Sequence, residues 1–210
     1  MEKISFSIEQ RLDLNRYDFE SYWAVSVENA LESNHVAVIH AKTLGYMELE
    51  EGKEIYHNAN SIFCASIGNK KMKKQFSSMR KFFDIHYQYD GYMGIYLFPF
   101  TTLNSTFGYS YGLQHFFPSA KSENETKFTS RILSSKIAKT EYRESLDPFF
   151  KNYALSVRDV FAEDHGICKL VPRDSWSMEP LKYTSQLENR ITKFREMCRE
   201  SVKFKEKNHV

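Results

Sequence analysis

From Ile85 to Phe100 the chain is dense in tyrosine and phenylalanine, and Gly91 and Gly94 break the run at short intervals. Glycines set among bulky rings fit strands joined by a tight turn or a bulge, where a Cβ would crowd the corner. Tyr92-Met93 and Ile95 to Phe98 are the strand candidates, and Pro99 marks an edge or an end, because proline cannot donate to a sheet ladder. Thr101 to Pro118 holds Gly108, Gly112 and further aromatics without a clean period, and reads as an irregular loop or a distorted hairpin. The whole chain carries 17 Phe and 13 Tyr against 2 Trp. So much ring volume requires a packed core.

Other segments supply the elements around those strands. Trp23, Val27 and Leu31 recur at steps of four and predict a helix from about Asp18 to Ser33. The β-branched run Val36 to Ala41 reads as a short buried strand, and Ser61 to Ile67 as another that stops at Gly68-Asn69. Met72, Phe76, Met79 and Phe83 give Lys70 to Phe83 one apolar face, opposite a crowd of cations. Asp147-Pro148 fits a helix start running to about Glu163, with Gly166 as its end, Ile167 to Val171 as a short strand and Trp176 packed back over the helix. Leu187, Ile191, Phe194 and Val202 predict a C-terminal helix from about Ser185 to Lys205. The fold class is therefore α+β, a mixed or antiparallel sheet with flanking helices and a C-terminal helix. The polar stretch around Ala120 to Thr126 suggests a core over residues 1–119, a linker or exposed loop over 120–130 and a further unit over 131–210, or one continuous domain.

With 210 residues the chain is long enough for one sizeable core. Lys and Arg total 29 against 27 Asp and Glu, so no global charge drives it toward nucleic acid or an anionic membrane. Cys64, Cys168 and Cys198 lack the paired spacing of a zinc site or disulfide scaffold, which fits a reducing, intracellular compartment. No apolar run reaches the length of a membrane span.

Residues with catalytic chemistry are scattered. His35 and His40 stand five apart around the apolar run, and in a strand they would point to opposite faces, a poor pair of metal ligands. No phosphate-binding glycine loop, nucleophile elbow or paired zinc spacing occurs. These observations predict no catalytic residue, no cofactor and no metal. An enzymatic alternative places a pocket on His86, Tyr87, Asp90, Tyr109 and His115. A second alternative, nucleic-acid contact, rests on Lys70, Lys71, Lys73, Lys74, Arg80 and Lys81 on one helix, whose plainer role is a solvated face.

The segment from Lys136 to Trp176 resembles the JmjN segment of the jumonji histone demethylase family. Thr140, Glu141, Tyr142, Asp147, Pro148, Gly166, Ile167, Cys168, Lys169, Pro172 and Trp176 follow that family's order. The interval from Asp147 to Gly166 is longer than the family's, and Arg173 stands where a second proline is common. The iron and 2-oxoglutarate barrel of those enzymes has no counterpart here, since its His-x-Asp or His-x-Glu pair is missing. The resemblance implies a non-catalytic, chromatin-associated subunit, nuclear in location. It would dock on another protein of a chromatin-modifying complex through Asp147, Pro148, Gly166, Ile167, Cys168, Lys169, Pro172 and Trp176.

Overall fold

Thr126 to Ile137 alternates buried and more exposed positions along most of its length, as a strand with one face in a core must. It is the organising strand of the molecule. The computed structural model describes residues 2–86, 89–177, 179 and 188–207, with side chains as far as 203. Its strands are β1 (Ile8–Phe19), β2 (Lys53–His57), β3 (Asn60–Ala65), β4 (Phe83–Asp84), β5 (Tyr92–Leu97), β6 (Thr101–Thr106), β7 (Ser110–Pro118) and β8 (Thr126–Ile137). Its helices are α1 (Glu2–Ser7), α2 (Trp23–Leu31), α3 (Val36–Ile39), α4 (Lys70–Met79), α5 (Arg143–Cys168) and α6 (Asn189–Lys207). The fold is α+β.

The sheet runs β1-β8-β7-β6-β5-β3-β2, with β4 pairing a second stretch of β8, and every pairing is antiparallel. Along α5, Leu146, Phe150, Val160, Phe161, His165 and Cys168 are buried at helical spacing, so one face of this long helix lies on the sheet. At one end Phe161 and Cys168 join Phe19, Phe116 and Phe128 of the sheet, Val27 and Leu31 of α2, and Ile191 and Phe194 of α6. At the other end Leu146 and Phe150 meet Phe83, Phe107 and Tyr109, with Met72 and Phe76 of α4 against them. A separate cluster of Met93, Ile95, Leu103 and Tyr111 takes Ile4 of α1 as its cover. Phe128 shows how tightly the main core is knit, with ring centroids 5.0 Å from Phe161 and 5.3 Å from Phe116. Truncating such a ring to alanine costs ~3–5 kcal/mol.

Several local expectations change. Val36–Ile39 is a single helical turn, not a strand, so four β-branched or small residues yield to their tertiary setting. Asp18 and Phe19 finish β1, and the helix expected from Asp18 begins only at Trp23. Thr101 to Pro118 is a true hairpin of β6 and β7. Its turn sets Phe107 at φ 55 and Gly108 at φ 74. That left-handed conformation costs a phenylalanine ~1–2 kcal/mol, which burial of its ring at 1% exposure offsets. Asp147 and Pro148 lie inside α5, Gly166 is within its last turn, and Ile167 to Val171 forms no strand. Trp176 packs on Tyr22 and Phe194. The Lys70 helix forms as expected, capped by Asn69 Oδ1 accepting from Met72 N at 3.1 Å. The C-terminal helix also forms, although Ser185 and Leu187 lie outside the described residues.

Candidate metal centre

Two imidazoles and one carboxylate converge where the end of α2 and the turn of α3 meet the last third of α5. His35 and His40 flank α3, and because that segment is helical their rings turn toward each other, with centroids 5.1 Å apart. Each presents Nε2 to the same oxygen, Asp164 Oδ1, at 3.3 Å from His35 and 3.0 Å from His40. One ligand atom from each of the three residues lies within 4.8 Å of the others, the only such group of three among the described residues.

The far sides of both rings are held by acids. His35 Nδ1 donates to Glu32 Oε2 at 2.8 Å, and His40 Nδ1 donates to Glu163 Oε2 at 2.7 Å. Glu32 also accepts from the backbone N–H of His35 at 3.1 Å, and Glu163 from Thr43 Oγ1 at 2.6 Å. Asn29 Nδ2 donates to Asp164 Oδ1 at 2.8 Å. An imidazole whose Nδ1–H is tied to a carboxylate offers a fixed, basic Nε2, which is how proteins orient histidine ligands to metals. The donor set therefore fits a divalent metal, and its class, two histidines and one carboxylate with positions left open, is that of non-haem iron(II) oxygenases.

Electrostatics follow from the same contacts. Burial opposes charge on His35, but hydrogen bonds to Asp164 and Glu32 and their negative charge outweigh it and hold its pKa up at about 9. His40 is raised for like reasons, against its burial, by Asp164 and Glu163. For Asp164 burial also opposes charge, yet the hydrogen bonds from His35, His40 and Asn29 keep its carboxyl well below the usual range. The adjacent His165 behaves in the opposite way, burial driving it down to about 4, so it is neutral. Its Nδ1 accepts from Tyr17 Oη at 2.6 Å, and its ring stacks on Phe19 with centroids 3.9 Å apart.

The strand reading that separated His35 from His40 fails because the intervening segment is helical. Of the alternative pocket, Tyr109 is buried in a cavity wall, His86 and Asp90 are exposed, His115 pairs with Thr101 at the far end of the β6–β7 hairpin, and Tyr87 lies outside the described residues. Those four do not converge. Lys70, Lys71, Lys73 and Lys74 stand exposed on α4, Arg80 pairs with Asp90, and Lys81 lies over the Phe82 ring. Among the residues of the JmjN-like segment, Cys168 and Trp176 are buried core, while Asp147, Lys169 and Pro172 are exposed. The signal that sequence reading passed over is the series Asn29, Glu32, His35, at steps of three beyond the apolar stripe of α2, followed by His40.

The structure thus defines an antiparallel sheet with one long helix packed on it, and a two-histidine, one-carboxylate centre between that helix and α2 to α3. No protein-family model and no curated protein sequence matches the chain. Solved structures do match it, and a Rieske monooxygenase is among them. The quaternary ammonium Rieske monooxygenase CntA superposes with a TM-score of 0.58 at 17% identity, over 90% of this chain and 49% of its own. NdmA of Pseudomonas putida CBB5 gives 0.54 at 15% identity, over 90% and 48%. Dicamba monooxygenase bound to dicamba gives 0.52 at 11% identity, over 89% and 57%. The chain spans about half the length of these proteins, and the likeness is one of fold.

This overturns the jumonji resemblance and what hung on it. A chromatin-associated docking subunit with nuclear location loses its basis, and so does the expectation of a non-catalytic protein, since CntA and dicamba monooxygenase, which share the fold, are monooxygenases. The enzymatic alternative fits better, and the residues that converge are His35, His40 and Asp164. Among the described residues no helix is long and apolar enough to cross a membrane.

Proposed function

We propose that this chain is the iron-binding half of a Rieske-type oxygenase, holding one iron(II) on His35, His40 and Asp164. The observation that carries the reading is the meeting of His35 Nε2 and His40 Nε2 on Asp164 Oδ1, each ring locked from behind by its own carboxylate. Bound there, iron(II) supplies open positions for activating dioxygen beside an organic substrate. The chain's own residues do the rest. Glu32 and Glu163 fix both rings in the tautomer with a proton on Nδ1, leaving Nε2 free for the metal. Asn29 holds the Asp164 carboxylate in orientation, and Tyr17 with His165 packs a neutral, hydrogen-bonded wall behind it.

Electrons must arrive from elsewhere. A Rieske cluster takes two cysteines and two histidines, and no group of that kind occurs among the described residues. The reductant is therefore a Rieske centre on a further domain or subunit. That is consistent with CntA, a structure described as informative on inter-subunit electron transfer.

The test is anaerobic titration of the metal-free protein with iron(II), read as bound metal per chain after desalting. One equivalent retained by the wild type, and lost in His35→Ala, His40→Ala and Asp164→Ala variants that keep their circular dichroism, supports the reading. Unchanged iron retention in all three variants refutes it.

A further inference from the structure

Beside the triad the space between sheet and α5 opens into a larger chamber. The smaller chamber, about 100 Å³, carries His35, His40 and Asp164 on its wall. The larger, about 320 Å³, shares Tyr92, Asn104, Gln114 and Phe161 with it, so the two are adjacent. Its size falls in the range of small-molecule sites. Exposed Asn152 and Ser156 of α5 and half-buried Met72 and Phe76 of α4 are part of its lining.

Among the described residues, the lining of the larger chamber contains no aspartate, glutamate, lysine, arginine or histidine. Phe76, Tyr92, Tyr109, Phe149, Tyr153 and Phe161 give it aromatic walls. One buried cation, Arg190, lines the smaller chamber, where it donates to Ser61 Oγ at 3.1 Å and to the Leu31 carbonyl at 3.3 Å. The polar groups that do face the larger space are neutral and underused. Asn104 makes no side-chain hydrogen bond among the described residues, and Gln114 accepts from Thr102 Oγ1 at 3.1 Å, leaving its NH₂ free. Ser110 Oγ is buried near the Tyr153 phenol without a hydrogen bond of good geometry. Burial pushes Tyr92 up to about 12 and raises Tyr109 and Tyr153, so these phenols stay protonated.

The floor has a specific shape. The register sets Gly94 of β5, Asn104 of β6 and Gly112 of β7 side by side on one face. Glycine inside a strand forfeits packing, and its use there marks a close approach by a ligand or another backbone. A Cβ on Gly94 would stand 3.1 Å from Asn104 Oδ1, whereas one on Gly112 would meet only Ile132 Cδ1, at 4.0 Å. Gly112 therefore leaves open volume that the fold does not need.

Building on the metal reading above, we infer that the substrate is an uncharged aromatic molecule with a hydrogen-bonding group, its ring between the aromatic walls and its polar group on Asn104. A carboxylate in the larger chamber would face no cation among its described lining residues, and burying an unpaired charge is far more costly than burying a hydrogen-bonded neutral group. A quaternary ammonium in the larger chamber would find ring faces but no acid among its described lining residues, next to a centre that gains positive charge when loaded with a divalent metal.

Three probes of similar shape separate these cases: benzamide, benzoate and phenyltrimethylammonium, each titrated calorimetrically into the full chain, metal-free and Co(II)-loaded. Co(II) occupancy is read independently from its visible absorption, so failure of the metal site and failure of the cavity assignment show in different signals. The expected result is saturable benzamide binding at least roughly tenfold tighter than either ion. Gly112→Val should weaken benzamide by roughly tenfold or more while leaving the melting temperature unchanged or raised. Gly112→Ala serves should valine fail to fold. Asn104→Leu should weaken benzamide but not toluene. Equal or tighter binding of either ion, no saturable binding of any probe, or full benzamide affinity in the folded Gly112 variant would overturn the assignment.

Discussion

Asn29 Nδ2 and Asp164 Oδ1, 135 residues apart in sequence, lie 2.8 Å apart at the head of the candidate metal centre, and this contact ties α2 to α5. The same oxygen faces both histidine Nε2 atoms, so Asn29 sets the direction from which Asp164 approaches a metal. Changing Asn29 to alanine should reduce Co(II) affinity by ~10–100-fold, the usual effect of removing a partner that orients a ligand. The far-ultraviolet circular dichroism should not change. Competition with a chromophoric chelator measures the affinity, and an unaltered value would remove Asn29 from the site.

Metal should also stabilise the fold, because the three ligands come from segments that separate on unfolding. At a free Co(II) concentration one hundred times the dissociation constant, the gain is ~2.7 kcal/mol. Urea unfolding with and without metal checks it, and His40→Ala should lose the gain entirely.

Tyr17 donates to the neutral, buried His165 at 2.6 Å. Tyr17→Phe leaves that ring nitrogen unpaired in the core and should destabilise the protein by ~1–3 kcal/mol. The loss should appear in the midpoint of urea denaturation.

Arg195 of α6 makes two hydrogen bonds to Glu28 of α2, at 2.6 and 2.9 Å, with both side chains largely buried. Glu28→Gln keeps the shape but strands the guanidinium, and should cost ~3–5 kcal/mol. The double change Glu28→Leu with Arg195→Met should cost less than the single one. A double-mutant cycle on thermal unfolding separates the two.

The fold was legible in the sequence wherever one face of an element is apolar. Met72 and Phe76 mark the buried side of α4, and Ile191, Phe194 and Cys198 that of α6. It was hidden where local preference and tertiary setting disagree. Val36 to Ile39 has strand-like residues but folds as one helical turn between α2 and the following loop, local preference yielding to tertiary setting. That single inversion concealed the site, since it alone decides whether His35 and His40 converge. Asp164 gave no local sign, because it stands 124 residues beyond His40 on a helix whose register against the sheet is fixed by Phe150, Phe161 and Cys168. Phe107 hid the hairpin in another way, as a bulky residue in the left-handed conformation where glycine or asparagine would announce a turn.

The most direct test is a crystal of this chain grown without oxygen, soaked in iron(II) and measured at the iron absorption edge. One strong anomalous peak per chain is expected, within coordination distance of His35 Nε2, His40 Nε2 and Asp164 Oδ1. A crystal with no peak there, or with iron bound only at other residues, would contradict it.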